Sequence, residues 1–162
     1  MRRIAAPARQ YPANGFTLVE LVVTVALLAM ILGIAAPSMR SFVVGQRIRA
    51  LSYDLTSDLL LARSEALKRN AAVVVARDAD EWHAGWTTAA GATQLSKRNS
   101  VAGNVDFAGA PAAITFDVNG RVSSPTAQVR ITVSSSAADA NSRRCIELDL
   151  SGRARSIPGA CT

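Results

Sequence analysis

A chain of 162 residues has room for one globular domain and an appendage, and the part beyond its first apolar stretch is long enough to bury a real core. Hydrophobic residues make up 49% of it and the mean hydropathy is +0.19, high for a soluble chain, but the excess is concentrated between Leu18 and Ala36. The formal charge of +6 falls to +3 once Arg2, Arg3 and Arg9 ahead of that stretch are set aside, leaving 15 basic against 12 acidic residues; bulk charge therefore does not argue for nucleic-acid binding, and only local clusters can.

Residues 1–15 are basic and interrupted by Pro7 and Pro12, and Leu18 to Ala36 is a run of apolar and small residues long enough for a membrane helix, with the basic flank left in the cytoplasm. Glu20 stands at the mouth of this run. A charge at the centre of a bilayer costs roughly 3 kcal/mol, and such residues mark function or a partner. An ordinary secretory signal, cut at the small residues Gly33, Ile34 and Ala35, is the alternative. It explains neither the acid nor an amphipathic pattern that continues past Pro37.

GFTLVELVV (15–23), behind a basic leader and ahead of an apolar helix, resembles the class III signal of type IV pilins and type II secretion pseudopilins. The resemblance implies that a prepilin peptidase cuts between Gly15 and Phe16 and that Phe16 is then N-methylated. It implies further that Glu20 neutralises the amino end of an adjacent subunit during assembly, and that Pro37 kinks the helix. The physics agrees with the assembly role: a carboxylate in lipid needs a counter-charge, and cleavage creates an ammonium group one helical turn from Glu20.

Past Pro37, Val44, Ile48, Leu51, Leu55, Leu59, Ala62 and Ala66 recur at three- and four-residue steps, the stripe of an amphipathic helix. Arg47, Arg49, Asp54, Asp58, Arg63, Glu65, Lys68 and Arg69 fall mostly off the stripe and read as its solvated face. Asn70 tolerates the left-handed conformation and precedes a β-branched run, so one long helix is expected from about Thr17 to about Asn70. The period then changes. Residues 71–78, 82–88, 112–118, 128–134 and 144–150 read as strands, with turns at Asn119–Gly120 and Ser151–Gly152; the polar stretch between Gly91 and Gly103 is left unassigned. NGRV (119–122) is echoed by SGRA (151–154). The expected class is α+β: leader 1–15, membrane and assembly helix 16–36, amphipathic half 37–70, and a β-rich periplasmic domain 71–162 whose antiparallel sheet covers the helix stripe.

LARSEALKRN (61–70), ITFDVNGRV (114–122) and the closing SGRAR (151–155) narrow the resemblance to the GspH/FimT group of minor pilins and pseudopilins, closer to FimT-like minor pilins. The latter carry a C-terminal GRxR motif linked to DNA binding, matched here by Gly152, Arg153, Ala154 and Arg155. On an extended segment Arg153 and Arg155 point to one side and straddle successive phosphates, with Gly152 letting backbone N–H groups approach and Arg143 and Arg144 nearby. A glycine turn followed by arginines is also how a soluble hairpin ends.

Cys145 and Cys161, an even pair in an exported chain, read as a disulfide; free thiols would suit a cytosolic protein. His83, between Trp82 and Trp86 and close to Asp78, Asp80 and Glu81, is read as structural. The tryptophans offer base stacking, but burial against the helix is their expected fate. No cofactor, metal site or catalytic constellation is expected. The resemblance implies other pilins or pseudopilins, prepilin peptidase, the inner membrane and DNA as partners. The leading expectation is a minor pilin at or near the tip of a type IV filament; the rivals are an H-type pseudopilin of type II secretion and a secreted binding domain outside any filament.

Overall fold

The computed structural model describes residues 15–101 and 105–162, without the side chains of 35–38. The leader expected over 1–15 thus lies outside the described residues except for Gly15, and Pro37, where a kink is expected, is described in its helical backbone but not in its side chain. The described chain divides into two compact units, one ending at Pro37 and the other running from Ser38 to Thr162.

Helix α1, Leu18–Arg69, lies within one residue of its expected bounds. Its first turn is capped by Thr17, whose hydroxyl accepts the Glu20 N–H at 3.2 Å. It stops at Asn70, which takes a left-handed φ of 50°. In the first unit the apolar side chains from Phe16 to Ile34 are exposed along the whole length. Among the described residues no single helix is long and apolar enough to cross a membrane; Leu18–Ile34 and Met39–Arg69 taken together pass by length and composition.

In the second unit the expected stripe is the buried face: Ile48, Leu51, Leu55, Leu59, Ala62 and Ala66 lie in the core, with Val44 packed against it. The strands that cover it are β1 (Val73–Arg77), β2 (Trp86–Ala90), β3 (Thr93–Arg98), β4 (Val105–Ala108), β5 (Ala113–Phe116), β6 (Val122–Ser124), β7 (Val129–Ser135), β8 (Arg144–Leu148) and β9 (Ala154–Pro158). They make two antiparallel sheets where one was expected, ordered β3-β2-β1-β5-β6 and β4-β7-β8-β9. A period of two gives each strand one apolar face but does not say which strands share a sheet. Val73, Val75, Ile114 and Phe116 of the first sheet enter the same core as Ile131, Val133, Ile146 and Leu148 of the second.

The strand expected over 82–88 begins only at Trp86. Trp82–Ala84 is a 3-10 turn, closed by Gly85 at a φ of 112°, where an added Cβ would lie 2.2 Å from the Arg98 carbonyl oxygen. Both tryptophans are buried and meet Phe107 at centroid distances of 6.5 and 6.0 Å. Trp82 Nε1 donates to the Pro111 carbonyl at 2.8 Å and Trp86 Nε1 to Asp58 Oδ2 at 2.7 Å. Base stacking is therefore closed to them. Asp58, together with Asp54, which pairs with Arg98, leaves the expected solvated face and ties the helix to β2 and β3.

Cys145 and Cys161 form a disulfide across 16 residues. Closing a loop of that size stabilises the fold by about 3 kcal/mol through the unfolded chain. The tail it holds is also bonded where the Cys161 N–H meets Thr132 Oγ1 at 3.0 Å.

Candidate functional site

Two regions carry the predicted site residues. In the first, Gly15, Phe16 and Thr17 precede the helix with no regular structure, Phe16 is exposed, and among the described residues no atom beyond its chain neighbours lies within 4 Å of where a Cβ on Gly15 would be. Glu20 is exposed in the first helical turn, where a negative charge suits the positive end of the helix dipole. Thr17-x-x-Glu20 is also the pattern of a capping box, a local signal that gives the acid a structural use beside any assembly role.

In the second region Arg153 and Arg155 lie at 78% and 72% side-chain exposure, on the same outward side of the segment entering β9. Register explains their surroundings: Glu147 on β8 sits opposite Arg155 on β9 and opposite Arg130 on β7. Arg155 Nε donates to Glu147 Oε2 at 2.8 Å, with Arg130 Nε 4.0 Å from the other carboxylate oxygen. Arg153 Nε donates to Asp149 Oδ2 at 3.1 Å. Both arginines are exposed but already paired, Arg153 within its own turn and Arg155 across the β8–β9 hairpin.

The structure departs from the expected site at Arg144 and at Gly152. Arg144 is buried, because it shares a strand face with Ile146 and Leu148; its guanidinium stacks 5.3 Å from the Tyr53 ring centroid and donates to the Ser156 carbonyl at 3.2 Å. It cannot join an exposed phosphate site, whereas Arg143 stays exposed. Gly152 does not offer its N–H to a ligand either, since that group donates to the Asp149 carbonyl at 2.9 Å, and the next N–H, of Arg153, donates to Asp149 Oδ1 at 3.1 Å. The glycine is there for its φ of +79° and for close packing: a Cβ would sit 2.2 Å from the Gly120 carbonyl oxygen.

Asp149 organises this turn. The Ser151 hydroxyl first, then the Arg153 backbone N–H, hold its carboxyl down from 3.8 to about 2. A depressed carboxyl adds stability in full above its ordinary value and loses it as pH falls through the folded one. The Asp149 carboxyl carbon is accordingly expected to titrate with a midpoint near 2 by NMR. A midpoint at the ordinary carboxylate value would mean the turn's bonds do not form in solution.

His83 is exposed, and among the described residues no three histidine, cysteine or acidic side chains are grouped to hold a metal ion.

The comparisons match the N-terminal segment and the sheet-covered domain separately. The family model for the prokaryotic N-terminal methylation motif matches residues 12–36, and the model described as type II transport protein GspH matches residues 52–152. No curated protein sequence matches the chain. Two crystal forms of the type IV minor pilin FimU of Pseudomonas aeruginosa PAO1 are similar in fold at 22% identity, with TM-scores of 0.57 and 0.60, over 68% and 72% of this chain and 92% of that one. Since the family model covers more than half of its length, the chain belongs to the GspH family of minor pilins and pseudopilins, and as such it is a structural subunit rather than an enzyme.

Proposed function

We propose that this subunit is a minor pilin of a type IV pilus, cut by prepilin peptidase between Gly15 and Phe16, methylated at Phe16 and incorporated at or near the filament tip. The observation that carries the reading is the exposed Gly15–Phe16 bond directly ahead of a capped apolar helix with Glu20 in its first turn. Before assembly the helix from Phe16 holds the chain in the inner membrane with its globular part in the periplasm; afterwards Glu20 neutralises a neighbour's amino end. Arg153 and Arg155, with Arg143 as an outlying contact, form the segment through which the domain touches DNA.

A second reading, an H-type pseudopilin in protein export, is favoured by the match to the family of the type II transport protein GspH. Both share the same membrane chemistry. Mass spectrometry of the mature amino end tests that shared step. N-methyl-Phe16 is expected, and a chain starting near Ala36 or Pro37 would leave only a secreted domain. A deletion strain then separates the two readings, by loss of surface pili or by retention of exported proteins in the periplasm.

A further inference from the structure

The two glycine turns are one structure made twice. In DVNGR (117–121) and DLSGR (149–153) the glycine N–H donates to the aspartate carbonyl at 2.9 Å, and the arginine N–H donates to the same aspartate's Oδ1, at 2.9 and 3.1 Å. Gly120 and Gly152 take matching φ values of +67° and +79°. The turns lie side by side: the Val122 N–H donates to the Leu150 carbonyl at 3.1 Å, and Gly152 fits against the Gly120 carbonyl. Arg63 of α1 crosses both. Its Cγ lies 3.1 Å from where a Cβ on Gly120 would be, and its Cδ and Nε lie 3.2 and 3.3 Å from the same point on Gly152.

Three arginines from three separated segments are thereby brought to one edge of the domain: Arg63, Arg121 and Arg153. Neither Arg63 nor Arg121 makes an ion pair among the described residues. Asp117 and Asp149 each commit a carboxylate oxygen to the N–H groups of their own turn. The N–H groups of Asn119, Gly120, Arg121, Gly152 and Arg153 are thus taken, and what the edge offers a ligand is chiefly guanidinium groups on long stems, suited to spaced phosphates rather than to one enclosed anion.

We infer that Arg63 and Arg121, set beside Arg153 by the twin turns, form a second phosphate-contacting edge that extends the β9 arginines and lets nucleic-acid backbone lie across the turn tips. This rests on the DNA reading proposed above and adds two residues far from the C-terminal motif. Such contacts position a duplex without reading its bases, so the edge contributes affinity and salt dependence but no sequence preference.

The test is fluorescence anisotropy of a random-sequence duplex titrated with the full processed chain in detergent micelles, repeated over a series of salt concentrations. Arg63→Gln and Arg121→Gln are each expected to weaken binding several-fold at low salt and to lower the slope of log K against log salt by about 0.9, the loss of one phosphate contact. Arg63→Lys, which keeps the charge, restores most of the affinity. Arg40→Gln, an exposed cation elsewhere, leaves it unchanged. Arg121 is exposed, so its variant carries the test alone if loss of the Arg63 stem lowers the melting temperature. Unchanged slopes for both variants, alongside weakened binding by Arg153→Gln with Arg155→Gln, overturn this inference and leave the DNA reading standing. A parent chain that binds no duplex overturns both. Normal DNA binding with lost filament incorporation assigns the edge to a protein neighbour and overturns it as well.

Discussion

Glu20→Leu is expected to lower incorporation into filaments by about two powers of ten at equal abundance in the membrane. An unpaired charge in the bilayer costs roughly 3 kcal/mol, and each 1.4 kcal/mol is about a tenfold change in equilibrium. Without the carboxylate, the amino end unmasked at Phe16 has no partner as helices pack. The structure supplies the control that separates this from a local effect. The bond to Thr17 Oγ1 is donated by the Glu20 main-chain N–H, so it survives both Glu20→Leu and Glu20→Gln. Glutamine also keeps the capping-box side chain while removing the charge. Glu20→Gln should therefore fail like Glu20→Leu, and Thr17→Ala, which costs about 1 kcal/mol of capping, should be incorporated far better than either. Immunoblots of sheared filaments against the membrane fraction provide the measurement, with mass spectrometry to establish that cleavage is intact. If Glu20→Gln enters filaments like the parent, the acid serves the helix end and the ion-pair account is wrong.

What could be read from the chain in advance was whatever is local. The stripe from Ile48 to Ala66 and the left-handed stop at Asn70 depend on spacings of three or four residues, and both are where the pattern puts them. β1, β5, β7 and β8 announce themselves as short apolar or β-branched runs, because each sends side chains into the core. β3 and β9 lie at sheet edges and are mostly exposed or half-buried, so no alternation marks them. The candidate site was legible to the same degree. That Arg153 and Arg155 share a side follows from a period of two. That Glu147 answers Arg155 follows only from the β8–β9 register, and register is a tertiary fact. Arg144 illustrates the boundary: the period of two already grouped it with Ile146 and Leu148, but composition grouped it with Arg143, and burial decided for the former. The echo of NGRV in SGRA was visible as a repeat, while its meaning, two turns packed glycine to carbonyl under one helix arginine, required the fold.

Gly152→Ala is expected to destabilise the domain by about 3 kcal/mol, from two sources that a second glycine separates. A non-glycine residue held in the left-handed region costs about 1–2 kcal/mol. Gly159, at a φ of +98° with nothing within 4 Å of its Cβ position, would suffer that cost alone. At Gly152 the new methyl also meets the Gly120 carbonyl oxygen at 2.2 Å. That atom is backbone, fixed by the Asp117 turn, and cannot swing aside as a side chain would; overpacking of this kind adds about 1–3 kcal/mol. Thermal melts should therefore place Gly152→Ala several degrees below Gly159→Ala, at roughly 3 °C for each kcal/mol in a domain of this size. The comparison also bears on the C-terminal motif. If the glycine's task is to let the two turns touch rather than to offer its N–H to a phosphate, DNA affinity measured well below the melting transition should fall less in Gly152→Ala, which only shifts the turns and Arg63, than in Arg153→Gln with Arg155→Gln. Equal melting of the two glycine variants would show that the turns do not meet closely in solution, and would take the support from under Arg63 along with them.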